Sequence, residues 1–281
     1  MTIRPAAEDT GIVFVRTDLK AGENRIPARW DHVVDTRLCT VIANAHGARV
    51  GTIEHVMSAL RGCGIDNAEI EIDGIEVPVV DGSAAPFVVL IDEVGTVQQA
   101  APRRAIRILK EVTLEEGGKL VRLSPSEHSV FGGEISFDHG AIGTQRYETT
   151  LMNGNFRHEI AQARTFGFLH EVEYMRSQGL ALGGSLDNAI VLNQEGVMNE
   201  GGLRFADEFI RHKLLDAIGD LYLAGGPILG AYEGNKAGHA VNNQILRKLF
   251  ATEGAWEIVD LYGDEIVPAM AEKARKVPVY A

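Results

Sequence analysis

The chain of 281 residues has room for about two domains, and 45% apolar against 23% charged residues suits packed cores rather than disorder. Its formal net charge of −12 argues against nucleic acid as the main partner, because phosphate binding needs a basic footprint; a small anionic ligand held by a few lysines remains compatible. Two cysteines, Cys39 and Cys63, are too few for a disulfide framework or a thiolate zinc site.

In chain order, the opening Met1-Thr2-Ile3-Arg4-Pro5 carries no secretory apolar core. The longest apolar run, Phe87 to Ile91, is far too short to span a bilayer, so the expected compartment is the reducing cytoplasm. Gly11 to Arg16 reads as a strand. Thr52 to Leu60 has helical spacing with Thr52 as its N-cap, and Gly62 and Gly64 follow as stops. Ala68-Glu69-Ile70-Glu71-Ile72 alternates with period two, the pattern of a half-buried strand. Phe87 to Ile91 fits a buried helix or a buried strand equally. The polar, proline-bearing stretch Gln98 to Arg104 marks a boundary, dividing the chain into expected domains 1–100 and 104–281. Beyond it Ile106 to Leu109, Lys119 to Leu123 and Gly133 to Phe137 read as strands, and Asp207 to Ala224 as a helix stopped by Gly225-Gly226-Pro227. Strands and helices gathered in each half imply α+β layers rather than alternating βαβ units.

The long helix carries the first chemical signal. Leu214, Leu215, Ile218, Leu221 and Tyr222 make a core-facing stripe, while His212, Asp216 and Asp220 recur every four residues, stepping by about 40° along another face. An imidazole followed one turn later by a carboxylate can present two ligands to one zinc ion, and a further carboxylate can orient a neighbouring side chain. Spacing alone fits a solvated polar face with an i,i+4 His–Asp pair at least as well. Thr52-Ile53-Glu54-His55 sets a carboxylate beside an imidazole at a helix start, and Lys236-Ala237-Gly238-His239-Ala240 holds a histidine among small residues; each is weak by itself. Other patterns fail. His158-Glu159 and His170-Glu171 lack the second histidine of a zinc-protease helix, and Gly62-Cys63-Gly64 lacks the third glycine of a dinucleotide loop.

Taken in order, Thr52-Ile53-Glu54-His55, Gly64-Ile65-Asp66-Asn67, Val80-Asp81-Gly82-Ser83-Ala84-Ala85-Pro86-Phe87, Ala163-Arg164-Thr165-Phe166-Gly167-Phe168, Gly183-Gly184-Ser185, Arg211 to Leu221 and Gly238-His239-Ala240 span nearly the whole chain. Together they resemble the zinc-dependent UDP-3-O-acyl-N-acetylglucosamine deacetylases of lipid A synthesis. The resemblance implies two similar α+β domains with helices sandwiched between two outer sheets, and an insert in each. The second insert, near 169–191, would help form a hydrophobic passage for an acyl chain. It further implies Zn²⁺ held by His55, His212 and Asp216, with Glu54 as general base, His239 as second acid/base oriented by Asp220, and Thr165 stabilising an oxyanion. Lys213, Lys119 and Phe166 are the implied substrate contacts. The substrate is then a UDP-linked acylated glucosamine, and the products are acetate and the free amine.

That family opens with a strand and a Gly-x-Gly-Leu-His-Ser/Thr-Gly segment, whereas this chain joins the pattern near Ile3-Arg4-Pro5. The expectation is either a longer natural product or an unpaired sheet edge. Two alternatives stand beside the deacetylase: a catalytically silent relative that binds a nucleotide sugar, separable by metal analysis, and a zinc amidohydrolase of another acylated amine, separable by a substrate panel.

Overall fold

The structure, a computed structural model, describes residues 1–262 and 265–268. The first half lays down β1 (Thr2–Pro5), β2 (Ile12–Arg16), β3 (Arg25–Pro27), β4 (Val33–Asp35), β5 (Val41–Ala43) and β6 (Arg49–Val50), then α1 (Glu54–Cys63), β7 (Ala68–Ile72) and α2 (Ala85–Val94). β1, β7, β2 and β3 form one sheet in that order, with β7 parallel to β2 and antiparallel to β1. The alternation in β7 does what its pattern predicts: Ala68, Ile70 and Ile72 are buried, while Glu69 and Glu71 face outward onto Arg25 and Arg4 at 2.6 and 2.8 Å. β4, β5 and β6 make a small antiparallel sheet.

The second half supplies β8 (Arg103–Ile108), β9 (Val112–Glu116), β10 (Lys119–Ser124), β11 (Ser129–Ser136), β12 (Thr144–Thr150), α3 (Phe156–Glu159), β13 (Phe166–Phe168), α4 (Leu169–Ser177), β14 (Ile190–Asn193), β15 (Gly196–Val197), α5 (Glu208–Tyr222), β16 (Ile228–Asn235), α6 (His239–Ala251), β17 (Trp256–Tyr262) and β18 (Glu265–Pro268). Its large sheet runs β12, β11, β16, β8, β17, β18, with β10 and β9 branching from β16. β13, β14 and β15 form a separate three-stranded sheet around α4. Each sheet therefore draws all its strands from one half of the chain, an α+β arrangement as expected.

What joins the halves is helix on helix. α1 packs against α5, and α5 packs in turn on α6, β11 and β12. Phe14, Ile26 and Ile70 of the first sheet, Met57 and Leu60 of α1, Phe209, Leu215 and Ile218 of α5 and Leu123 of β10 belong to one continuous buried core. Full burial of each such side chain is worth about 1.5–3 kcal/mol, ample to hold the two helices face to face. Gly219 permits the closest approach: a Cβ there would fall 2.0 Å from the carbonyl oxygen of Glu54.

Two expectations need correction. Thr52 does not cap α1. It sits at φ 56° and its hydroxyl donates to Glu76 Oε1 at 2.7 Å, while Ile53 takes the N-cap position with no side-chain hydrogen bond. Gly62 does not stop the helix either; the stop is Gly64, left-handed at φ 72°, whose N–H returns to the carbonyls of Arg61 and Leu60. The ambiguous Phe87 to Ile91 run lies in helix α2.

Candidate active site

The contact of α1 with α5 brings together side chains far apart in sequence. His55 Nε2 lies 3.7 Å and His212 Nε2 3.3 Å from the same oxygen, Oδ1 of Asp216. Ligand atoms of the three residues fall within 4.8 Å of one another, and all three residues are buried. The polar ladder of α5 is thus an interior face, not a solvated one: His212, Asp216 and Asp220 are 1%, 3% and 2% exposed. His212 Nδ1 is 3.0 Å from the carbonyl oxygen of Ala163, which can only accept, so Nδ1 carries the proton and Nε2 turns a lone pair towards Asp216. Burial, opposed by Asp216 but aided by His55, pulls the His212 imidazole down to about 3, which keeps it neutral.

Asp216 stays ionised. Burial works against its charge, but the Lys213 ammonium, whose Nζ donates to its Oδ2 at 2.8 Å, helps hold it well below the usual carboxylate range. Two imidazoles and a carboxylate converging at a buried point form a donor set able to hold a metal ion.

Beside this triad stands a second group. Glu54 Oε2 accepts the backbone N–H of Thr40 at 3.1 Å, and Glu54 Oε1 lies 3.8 Å from His239 Nε2. His239 is the first residue of α6 and donates through Nδ1 to Asp220 Oδ2 at 2.8 Å. The same carboxylate accepts the Thr40 hydroxyl at 2.6 Å and the Asn242 amide at 2.9 Å, and Asn242 Oδ1 in turn accepts Tyr232 O–H at 2.8 Å. Burial pushes the Glu54 carboxyl above the ordinary range, with His239 and His55 offsetting part of the rise. Burial disfavours the charged His239 ring, yet Asp220 outweighs it and the ring is pushed up to about 10.

The remaining sequence candidates divide. Phe166 stands near the triad, its ring centroid 6.3 Å from that of His212 and 5.6 Å from Lys213 Nζ. Thr165 is anchored by its main chain, its N–H donating to Gly82 O at 2.8 Å and its carbonyl accepting Ile190 N–H at 2.8 Å. Gly82 is required there: at φ 83° it passes so close to Asn188 that a Cβ would meet the Asn188 carbonyl oxygen at 2.1 Å. Lys119 stands exposed at the start of β10, opposite Glu116, and makes no hydrogen bond or ion pair with the cluster among the described residues. Between α4 and β14, Leu180, Leu182 and Leu186 are exposed, as is Tyr174 on α4.

Sequence reasoning misses Thr40, Asn242 and Glu208. Fully buried Glu208 takes Arg164 Nε at 2.9 Å and the Arg164 N–H at 3.0 Å, bracing the Ala163–Thr165 turn that supports His212. Glu208 opens α5 one turn before His212, which is the only trace it leaves in sequence; Thr40 lies in a loop and leaves none.

Comparison with known proteins supplies the family. A family model, LpxC, described as UDP-3-O-acyl N-acetylglycosamine deacetylase, matches residues 1–251. A UDP-3-O-acyl-N-acetylglucosamine deacetylase of Stenotrophomonas maltophilia is 50% identical over 283 aligned positions, covering 100% of this chain and 92% of that protein. Proteins of the same name from Acidithiobacillus ferrooxidans and Phenylobacterium zucineum are 52% and 50% identical, covering 95% and 92% of this chain and 87% and 88% of their own lengths. With the matched span taking in nearly the whole described chain, and with relatives about half identical along it, the chain belongs to the UDP-3-O-acyl N-acetylglycosamine deacetylase family.

Proposed function

We propose that this chain hydrolyses the N-acetyl group of UDP-3-O-(3-hydroxyacyl)-N-acetylglucosamine, giving acetate and UDP-3-O-acyl-glucosamine for lipid A synthesis, with Zn²⁺ held by His55, His212 and Asp216. The observation that carries the reading is the convergence of those three donors beside the Glu54–His239 pair. When bound, zinc supplies a Lewis acid that acidifies water and polarises the amide carbonyl.

The chain's own residues do the rest. Glu54 Oε1, left free because Oε2 is bound to Thr40 N–H, takes the proton of the attacking water. The new C–O bond forms at the carbonyl carbon, and the Thr165 hydroxyl stabilises the developing oxyanion. His239, kept protonated by Asp220, gives its Nε2 proton to the nitrogen as the C–N bond breaks. Lys213 holds Asp216 and offers a cation towards the substrate, Phe166 packs by the sugar, and Lys119 is an outlying substrate contact. The exposed Tyr174, Leu180, Leu182 and Leu186 support an acyl passage along the 169–191 insert. Domains at 1–100 and 104–281 fit sheets that each draw on one half of the chain. No helix among the described residues is long and apolar enough to cross a membrane, and a soluble nucleotide-sugar substrate suits a cytoplasmic site.

The test is acetate release from the UDP-linked substrate, with chelator and after zinc is restored. Release that chelator abolishes and zinc restores supports the proposal; metal-loaded protein that releases none overturns it. Faster release from an unrelated acylated amine would assign the site to another amidohydrolase.

A further inference from the structure

We propose that Thr40 is a positioning residue for the reaction, one side chain that sets the general base and the acid/base histidine against each other. The inference rests on the deacetylase reading above. Thr40 lies in the loop between β4 and β5 and is 1% exposed. Its backbone N–H is bound to Glu54 Oε2 at 3.1 Å, and its hydroxyl donates to Asp220 Oδ1 at 2.6 Å. Glu54 belongs to the first half of the chain, and Asp220 with His239 to the second. A single residue therefore touches the base directly and reaches the acid through the carboxylate that orients it.

The two contacts divide the work. Binding Oε2 leaves Oε1 as the oxygen that faces His239 Nε2 across 3.8 Å, a gap too wide for a direct hydrogen bond. With no direct hydrogen bond between them, both groups keep a free position that one reacting atom can approach from the side. On the other side, Asp220 receives three donors among the described residues: the Thr40 hydroxyl on Oδ1, and the Asn242 amide and His239 N–H on Oδ2. The Thr40 bond is the shortest of the three and the only one on Oδ1, so it fixes the rotation of the carboxylate plane. That rotation aims Oδ2, and Oδ2 aims the His239 ring. A short, charge-assisted bond to a buried carboxylate is well suited to hold such an angle.

Thr40→Val isolates the hydroxyl, because it keeps the β-branched shape and the backbone N–H to Glu54; Thr40→Ser returns the hydroxyl without the methyl. The expected result for Thr40→Val is a kcat lower by about 10–100-fold, since small misplacements of a catalytic group cost that much, with KM and bound zinc within about twofold of the parent. Thr40→Ser is expected to recover most of the lost kcat. In ¹⁵N-histidine-labelled protein, the Nδ1–H proton of His239 should exchange faster with water in Thr40→Val than in the parent or in Thr40→Ser. A folded Thr40→Val with parental kcat and parental His239 exchange overturns the inference, and so does a Thr40→Ser variant as impaired as Thr40→Val. Parent enzyme that releases no acetate, yet shows the exchange difference, sinks the deacetylase reading and leaves the Thr40–Asp220–His239 linkage standing.

Discussion

Glu54 and His55 are adjacent in sequence, yet their side chains meet different partners. The first turn of α1 directs His55 at Asp216 and Glu54 at Thr40 and His239. Removing each should therefore fail differently. Glu54→Ala is expected to keep its metal and lose about 10²–10⁴ in kcat, as loss of a general base does; His212→Ala is expected to lose metal first and activity with it. Elemental analysis alongside acetate release separates the two, and equal metal retention would remove His212 from the ligand set. The pH profile should be bell-shaped. In the proposed roles activity needs Glu54 deprotonated, so the acid limb should lie above the ordinary carboxylate range, where burial has raised that group. It also needs His239 protonated, and Asp220 pushes that ring up to about 10. A bound dication repels the charged ring and draws both limbs down. Asp220→Asn removes the main support of that charge, so its alkaline limb should move to lower pH while the acid limb moves less. An unmoved alkaline limb in that variant would show that His239 is not the acid.

At the level of elements, the site depends on how closely α1 and α5 approach. Gly219 would be a poor choice for the interior of a free helix, where alanine is better by about 1 kcal/mol. Here a Cβ would meet the Glu54 carbonyl oxygen at 2.0 Å, so Gly219→Ala should reverse the usual sign and destabilise the fold by about 1–3 kcal/mol. Because the helices must then part, His55 should move away from Asp216 and metal affinity should fall with the melting temperature. Calorimetry and a metal titration on one sample check both; a stabilised, tightly binding variant would refute the close approach. The α5 stripe of Leu214, Leu215, Ile218, Leu221 and Tyr222 is buried as its period implies. α6 is not foreseen, because its start, Gly238-His239-Ala240, shows only a histidine among small residues until the helix that follows is seen docked on α5. Thr52 misleads for a related reason: its hydroxyl has the right chemistry for a cap, but Glu76 competes for it from a distant loop.

Over the whole molecule, the candidate ligand set ties one half of the chain to the other, His55 from α1 to His212 and Asp216 from α5. An ion bound only by the folded state stabilises it by mass action, about 4 kcal/mol at a thousandfold excess over Kd. Stripping the metal should therefore lower the melting temperature by about 8–16 °C in a chain of this size, and zinc should restore it; an unchanged melting curve would mean that the ion does not bridge the halves. Much of this was legible in the residues. Periodicity alone marks β7 and the buried stripe of α5, because the geometry of a strand or helix is local and repeats along the chain. Motif resemblance could name His55, His212, Asp216 and His239 as candidates, but spacing by itself left the α5 ladder open between solvent and interior. Only tertiary structure decided that question, since burial depends on what packs opposite, and α1 lies some 150 residues away in sequence. The same holds for Thr40, Asn242 and Glu208: a polar side chain in a loop or on a helix has no periodic signature, and its role exists only once the carboxylate or arginine it holds has been folded against it.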